Sequence, residues 1–137
     1  MESKKIRVTE NDTKKLREAI REAKTNDYRN SLYIQQLEGE LDRAEIVPGK
    51  HIPEDDVTMN SRVLLTDLTD GEQMELTLVF PVDSGRDAGG VSVLAPIGTA
   101  MIGYRVGDEF EWDTPDGKTR LRVEKILYQP EAEGKLD

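Results

Sequence analysis

Apolar positions change their spacing once along this chain, and that change divides it. In the first third they recur every three or four residues: Leu16, Ala19, Ile20 and Ala23, then Ile34, Leu37, Leu41 and Ala44. This spacing places each set on one face of a helix. Thr9 followed by Asp12 has the form of a helix start, because a threonine side chain can accept from a backbone N–H three residues on. Turn-prone residues 25–30 interrupt the pattern, Ser31 can cap a second helix, and Val47, Pro48 and Gly49 end it. Two amphipathic helices on either side of a short loop are predicted to bury their stripes against each other as an antiparallel hairpin. Each arm holds roughly 14 residues and reaches about 20 Å.

From Val57 the period becomes two. Val57 and Met59, Val63 and Leu65, and Leu76, Leu78 and Phe80 are the candidate inward faces of strands. Thr69, Asp70 and Gly71 read as a hairpin turn, and residues 83–90 as a polar, glycine-rich loop. Further strands are expected over 91–94, 109–114 and 118–128. Between them Pro96 marks the start of a short helix, Gly103 its stop, and Pro115, Asp116 and Gly117 a turn. Phe110 and Trp112 alternate with acids, which puts both rings on one strand face, in the core. The fold class expected is α+β, with a helical hairpin over 1–48, a linker over 49–56, an antiparallel sheet with one short helix over 57–130 and a frayed acidic tail over 131–137.

Composition adds constraints. The 137-residue chain contains no cysteine, which excludes disulfides, thiolate nucleophiles and sulfur-ligated zinc and agrees with a cytoplasmic location. Its start lacks the apolar core of a secretion signal, and no run reaches the length of a membrane span. The net charge of −9 is uneven: residues 1–50 carry 11 basic against 10 acidic side chains, residues 51–137 carry 8 against 18. An acidic surface repels phosphate, so high-affinity contact of the C-terminal part with nucleic acid is not expected. Partners should offer basic or apolar surfaces.

Candidate chemistry is sparse. Hydrolysis or group transfer needs a positioned nucleophile and base, or a metal with several ligands. His51 is the only histidine and sits beside Pro53 in the expected linker. Gly85, Gly89 and Gly90 match no phosphate-cradling pattern. Asp55 with Asp56, and Asp67 with Asp70, could attract a cation, yet acid pairs in loops are most often solvated turn residues. No catalytic residue, metal site or cofactor is assigned.

The order of pieces in 92–103, in Val106, Gly107 and Asp108, and in Thr114, Pro115, Asp116 and Gly117 resembles the C-terminal, FKBP-like domain of the GreA/GreB transcription elongation factors, over about residues 59–128. Segments 40–44, 56–63 and 128–132 are similar to the branch of that family described as regulators of nucleoside diphosphate kinase. The resemblance implies a non-enzymatic regulator that binds RNA polymerase at the rim of the secondary channel, where the β′ subunit presents a coiled coil, and that competes there with GreA and GreB. A serine, an acid and a proline serve polymerase binding in the family; the aligned residues here are Ser92, Leu94 and Pro96, so an apolar side chain replaces the acid. The family's hairpin tip carries two acids three residues apart that hold a magnesium ion. Here the aligned loop has Asp27 but Asn30, so the resemblance implies binding without stimulation of transcript cleavage. Two other readings stay open: direct regulation of nucleoside diphosphate kinase or another metabolic enzyme, and prolyl isomerisation, which the shortage of aromatic residues disfavours.

Overall fold

The computed structural model describes residues 6–25, 32–83, 89–114 and 117–134. Asp27, the proposed cap Ser31, most of the glycine-rich loop, and Pro115 with Asp116 of the expected turn lie outside the described residues. Strand β1 (Arg7–Val8) leads into helix α1 (Glu10–Lys24); helix α2 (Leu32–Arg43) returns and is followed by strand β2 (Glu45–Ile46). Thr9 caps α1 as its spacing predicts, accepting from the backbone N–H of Asp12 at 3.1 Å. The helices run antiparallel, since Arg17 pairs with Asp42 at 2.9 Å while Lys24, seven residues on, pairs with the earlier Glu38 at 2.7 Å. Leu16, Ile20 and Ala23 are buried with Ile34, Leu37 and Leu41 in one core cluster.

Helix α2 is shorter than the apolar period suggests. It stops at Arg43, and Ala44 lies beyond it, because the chain there exchanges helical bonds for strand bonds. The N–H groups of Glu45 and Val47 donate to the carbonyls of Ile6 and Val8, each at 2.9 Å, forming a parallel β1–β2 ladder. Two-residue strands leave no periodic signal, so this ladder is invisible in the sequence.

Strands β3 (Arg62–Asp67), β4 (Gln73–Val79), β5 (Gly90–Ser92), β6 (Glu109–Thr114) and β7 (Gly117–Tyr128) form a sheet of order β5-β4-β3-β7-β6. Helix α3 (Pro96–Met101) sits between β5 and β6 in sequence. The β3–β4 turn is as predicted: Asp67 Oδ1 accepts from the N–H of Thr69 at 2.8 Å, and Gly71 takes φ +79°. The expected all-antiparallel sheet is corrected at one edge, where β5 runs parallel to β4 with Thr77 opposite Gly90. Ten residues, 80–89, separate β4 from β5, with a short 3-10 turn at Pro81–Asp83 among them. That connection is long enough to bring the next strand back in the same direction, which a tight hairpin cannot do.

Val57 and Met59 are buried as expected but belong to no strand of the sheet. Val57 instead exchanges backbone bonds with the loop after α3: its N–H donates to Tyr104 at 2.8 Å and its carbonyl accepts from Gly103 at 2.9 Å. Asn60 then turns the chain with φ +66°. Leu76 is only half-buried, whereas Leu78 and Phe80 are buried as expected.

The segment read as a linker is anchored. Ile52 is buried, and Asp56 is 1% exposed with Oδ2 2.7 Å from Arg7 Nη1 and Oδ1 2.9 Å from Arg105 Nε. Both oxygens of this acid are therefore taken by guanidinium groups, which replaces the solvated-turn reading given to it. Gln129 Nε2 donates to the carbonyls of Pro53 at 2.8 Å and Asp56 at 2.7 Å, fastening the same segment to the end of β7. The tail is not frayed at its start either. Glu131 is buried and accepts from the Thr58 hydroxyl at 2.9 Å, a bond between residues far apart in sequence that no local pattern reveals.

Candidate partner-binding surface

The three residues singled out in the sequence share one turn. Ser92 ends edge strand β5, Leu94 stands in the turn, and Pro96 is the first residue of α3, where its missing N–H costs no helical hydrogen bond. The turn is fixed from both sides. Ser92 Oγ accepts from the N–H of Leu94 at 3.1 Å, and the Ser92 carbonyl accepts from Ala95 at 3.0 Å. Val93 is fully buried; its N–H donates to Val79 at 2.9 Å, and its carbonyl accepts from the buried Thr99 hydroxyl at 2.7 Å. Helix α3 also approaches the turn at Gly98, where any Cβ would overlap the Ser92 carbonyl. With its neighbours held this way, the half-buried Leu94 is presented at a defined place.

Leu94 opens onto a groove of about 490 Å³ between the helical hairpin and the sheet. Its apolar lining comes from Ala19 and Ala23 of α1, from Phe80, Pro81 and Val82 after β4, and from Leu94. Its charged lining is Lys15, Glu18, Glu22 and Asp83. Lys15 Nζ lies 5.7 Å from the centroid of the Phe80 ring, within cation–π range. Val82 is 76% exposed, a large apolar side chain left in water. The sequence reading placed Ser92, Leu94 and Pro96 but not α1 or 80–83 beside them; the available signal was Val82, which continues the apolar alternation of Leu76, Leu78 and Phe80 past the end of β4 at Val79.

The other candidates are elsewhere. His51 is exposed in a short 3-10 turn, Gly49–His51. Asp67 and Asp70 accept backbone N–H groups of their own turn, from Thr69 at 2.8 Å and Glu72 at 2.9 Å. Among the described residues no group of three His, Asp or Glu side chains is placed to hold a metal ion, and no helix is long and apolar enough to cross a membrane. Phe110 is buried, stacking on Tyr104 with centroids 5.3 Å apart and planes 9° from parallel, and Trp112 packs against the same core.

Two family descriptions match the chain: "Rnk N-terminus" over residues 4–47 and "Transcription elongation factor, GreA/GreB, C-term" over residues 52–128. The regulator of nucleoside diphosphate kinase of Escherichia coli K12 is 46% identical over 99 residues, covering 72% of this chain and 73% of that protein. GreA of Chlorobium phaeovibrioides is 39% identical over 97 residues, 70% of this chain and 61% of that one. Among solved structures, a GreA/GreB elongation factor from Nitrosomonas europaea superposes with a TM-score of 0.78 at 36% identity, over 90% of this chain and all of that one.

Proposed function

Because this chain belongs to the GreA/GreB transcription elongation factor family, with the N-terminal part described as that of Rnk, we propose that it is a non-enzymatic regulator that binds RNA polymerase near the secondary channel. In this reading the turn at Ser92, Leu94 and Pro96 meets the β′ coiled coil, and the protein competes with GreA and GreB. The supporting observation is the fixed turn itself. Backbone and hydroxyl bonds on both sides of Leu94 hold an apolar side chain in place before any partner arrives, which reduces the ordering cost of binding.

The hairpin argues for binding without chemistry. With 15 and 12 residues its arms extend about 22 and 18 Å. Its tip offers Asp27 but Asn30 in place of a second acid, and a divalent ion shared with a distant active site needs more than one carboxylate to hold it. The protein therefore occupies the channel rim without stimulating transcript cleavage. Prolyl isomerisation finds little support among the described residues, where Tyr104, Phe110 and Trp112 pack in or against the core and Phe80 is the one aromatic side chain lining the groove.

The test is equilibrium binding to core RNA polymerase, with GreA as competitor and Leu94→Asp and Pro96→Ala as variants checked for folding. Saturable binding that GreA displaces and Leu94→Asp weakens supports the reading. Absence of binding would refute it. A second reading draws on the name of the Escherichia coli relative: a direct complex with nucleoside diphosphate kinase. It predicts co-purification of the two proteins without polymerase, and an empty pull-down removes it.

A further inference from the structure

We propose that the groove between α1 and residues 80–83 is a second half of the docking surface, and that its occupant is a partner helix carrying an apolar side chain flanked by lysine or arginine. The inference rests on the polymerase-binding reading and assigns the short hairpin a role in it: one wall of the site.

Apolar character and shape come first. Ala19 and Ala23, four residues apart on α1, present one helical face with small side chains, and Phe80, Val82 and Leu94 line the same space. The volume of about 490 Å³ is in the range of a binding site, and the 76% exposure of Val82 leaves apolar surface for a partner to cover.

Charge then selects the occupant. Glu18 and Glu22 are exposed and stand one helical turn apart on α1, and Asp83 lines the groove with them, against Lys15 as the cation among the described lining residues. The surplus of acids favours a basic partner and opposes an acidic one or a nucleic acid backbone. Lys15 over the Phe80 ring already illustrates a cation accepted there. Because Leu94 lines this groove, an anchor bound in it would touch the fixed turn as well, making the two one continuous surface.

Core RNA polymerase binding is measured for the full chain, for Glu18→Lys combined with Glu22→Lys, for Lys15→Gln and for Val82→Ser, all at exposed positions where folding is expected to survive. The double reversal should weaken binding about tenfold, with the loss shrinking at high salt, whereas Lys15→Gln should strengthen it. Val82→Ser should weaken binding independently of salt. The opposite signs of the charge variants separate docking from general damage. If Leu94→Asp weakens binding but all three groove variants bind like the parent, the groove inference is overturned and the polymerase reading stands. Tighter binding by the double reversal would also overturn it, by requiring an acidic occupant. If the parent does not bind polymerase, both fall.

Discussion

Ile6 lies against Gly103 so closely that any Cβ on Gly103 would overlap the Ile6 side chain. One residue precedes the helical hairpin and the other follows α3, so this contact joins the two ends of the fold's organisation. Gly103 also has φ +84°, a conformation that side chains disfavour, and Ile6 is fully buried.

Gly103→Ala should therefore destabilise by about 2–4 kcal/mol, combining left-handed strain with overpacking. Ile6→Ala alone should cost a similar amount, about 2–4 kcal/mol, through its cavity. Together they should cost less than the sum, since the vacated space receives the new methyl group. Urea unfolding of the four proteins tests this, and strict additivity would contradict the contact.

The Asp56 clamp links β1 to the loop after α3. Replacing Asp56 with Asn should cost about 2 kcal/mol, since it removes the charge that two guanidinium groups share, and these are only partly buried. Arg105→Ala should cost less, because Arg7 still neutralises the acid. Equal losses in thermal unfolding would argue against a shared clamp.

Burial raises the Tyr104 hydroxyl pKa above its ordinary value, with the charges of Glu40 and Asp108 adding to the effect. The folded protein thus holds this proton more tightly than the unfolded chain. The resulting stability is complete below about pH 10 and is lost as pH rises through the folded value. Tyr104→Phe should flatten the alkaline fall in stability, measured by urea midpoints between about pH 9 and 11. An unchanged slope would show that other groups govern it.

Thr99 supports the turn that holds Ser92, Leu94 and Pro96, through its hydroxyl bond to the Val93 carbonyl. Thr99→Val keeps the side-chain shape but removes the hydroxyl bond to the Val93 carbonyl, and should cost about 1–2 kcal/mol. On the proposed function it should also weaken polymerase binding, while Ala132→Ser, at an exposed position in the turns after β7, should leave binding unchanged.

In a backtracked elongation complex the protein should leave transcript cleavage at its basal rate and reduce the stimulation caused by added GreA. Cleavage stimulated by this chain alone would contradict the role assigned to the short hairpin.

Local chemistry was enough to place the elements whose signals are local. The Thr9 cap, the stripe Leu16, Ile20 and Ala23, the Asp67 to Gly71 turn, Pro96 at the start of α3 and strand β6 all follow from nearest-neighbour rules, because each is fixed by residues a few positions apart. The resemblance in 92–103 drew Ser92, Leu94 and Pro96 together for the same reason. What the tertiary structure alone decided depends on residues far apart in the chain. Asp56 is buried only because Arg7 and Arg105 converge on it, and Glu131 only because Thr58 reaches it. The β1–β2 ladder, the parallel direction of β5 and the groove that sets α1 beside Val82 and Leu94 likewise need the folded chain, since no periodicity in one segment encodes which distant segment will cover it.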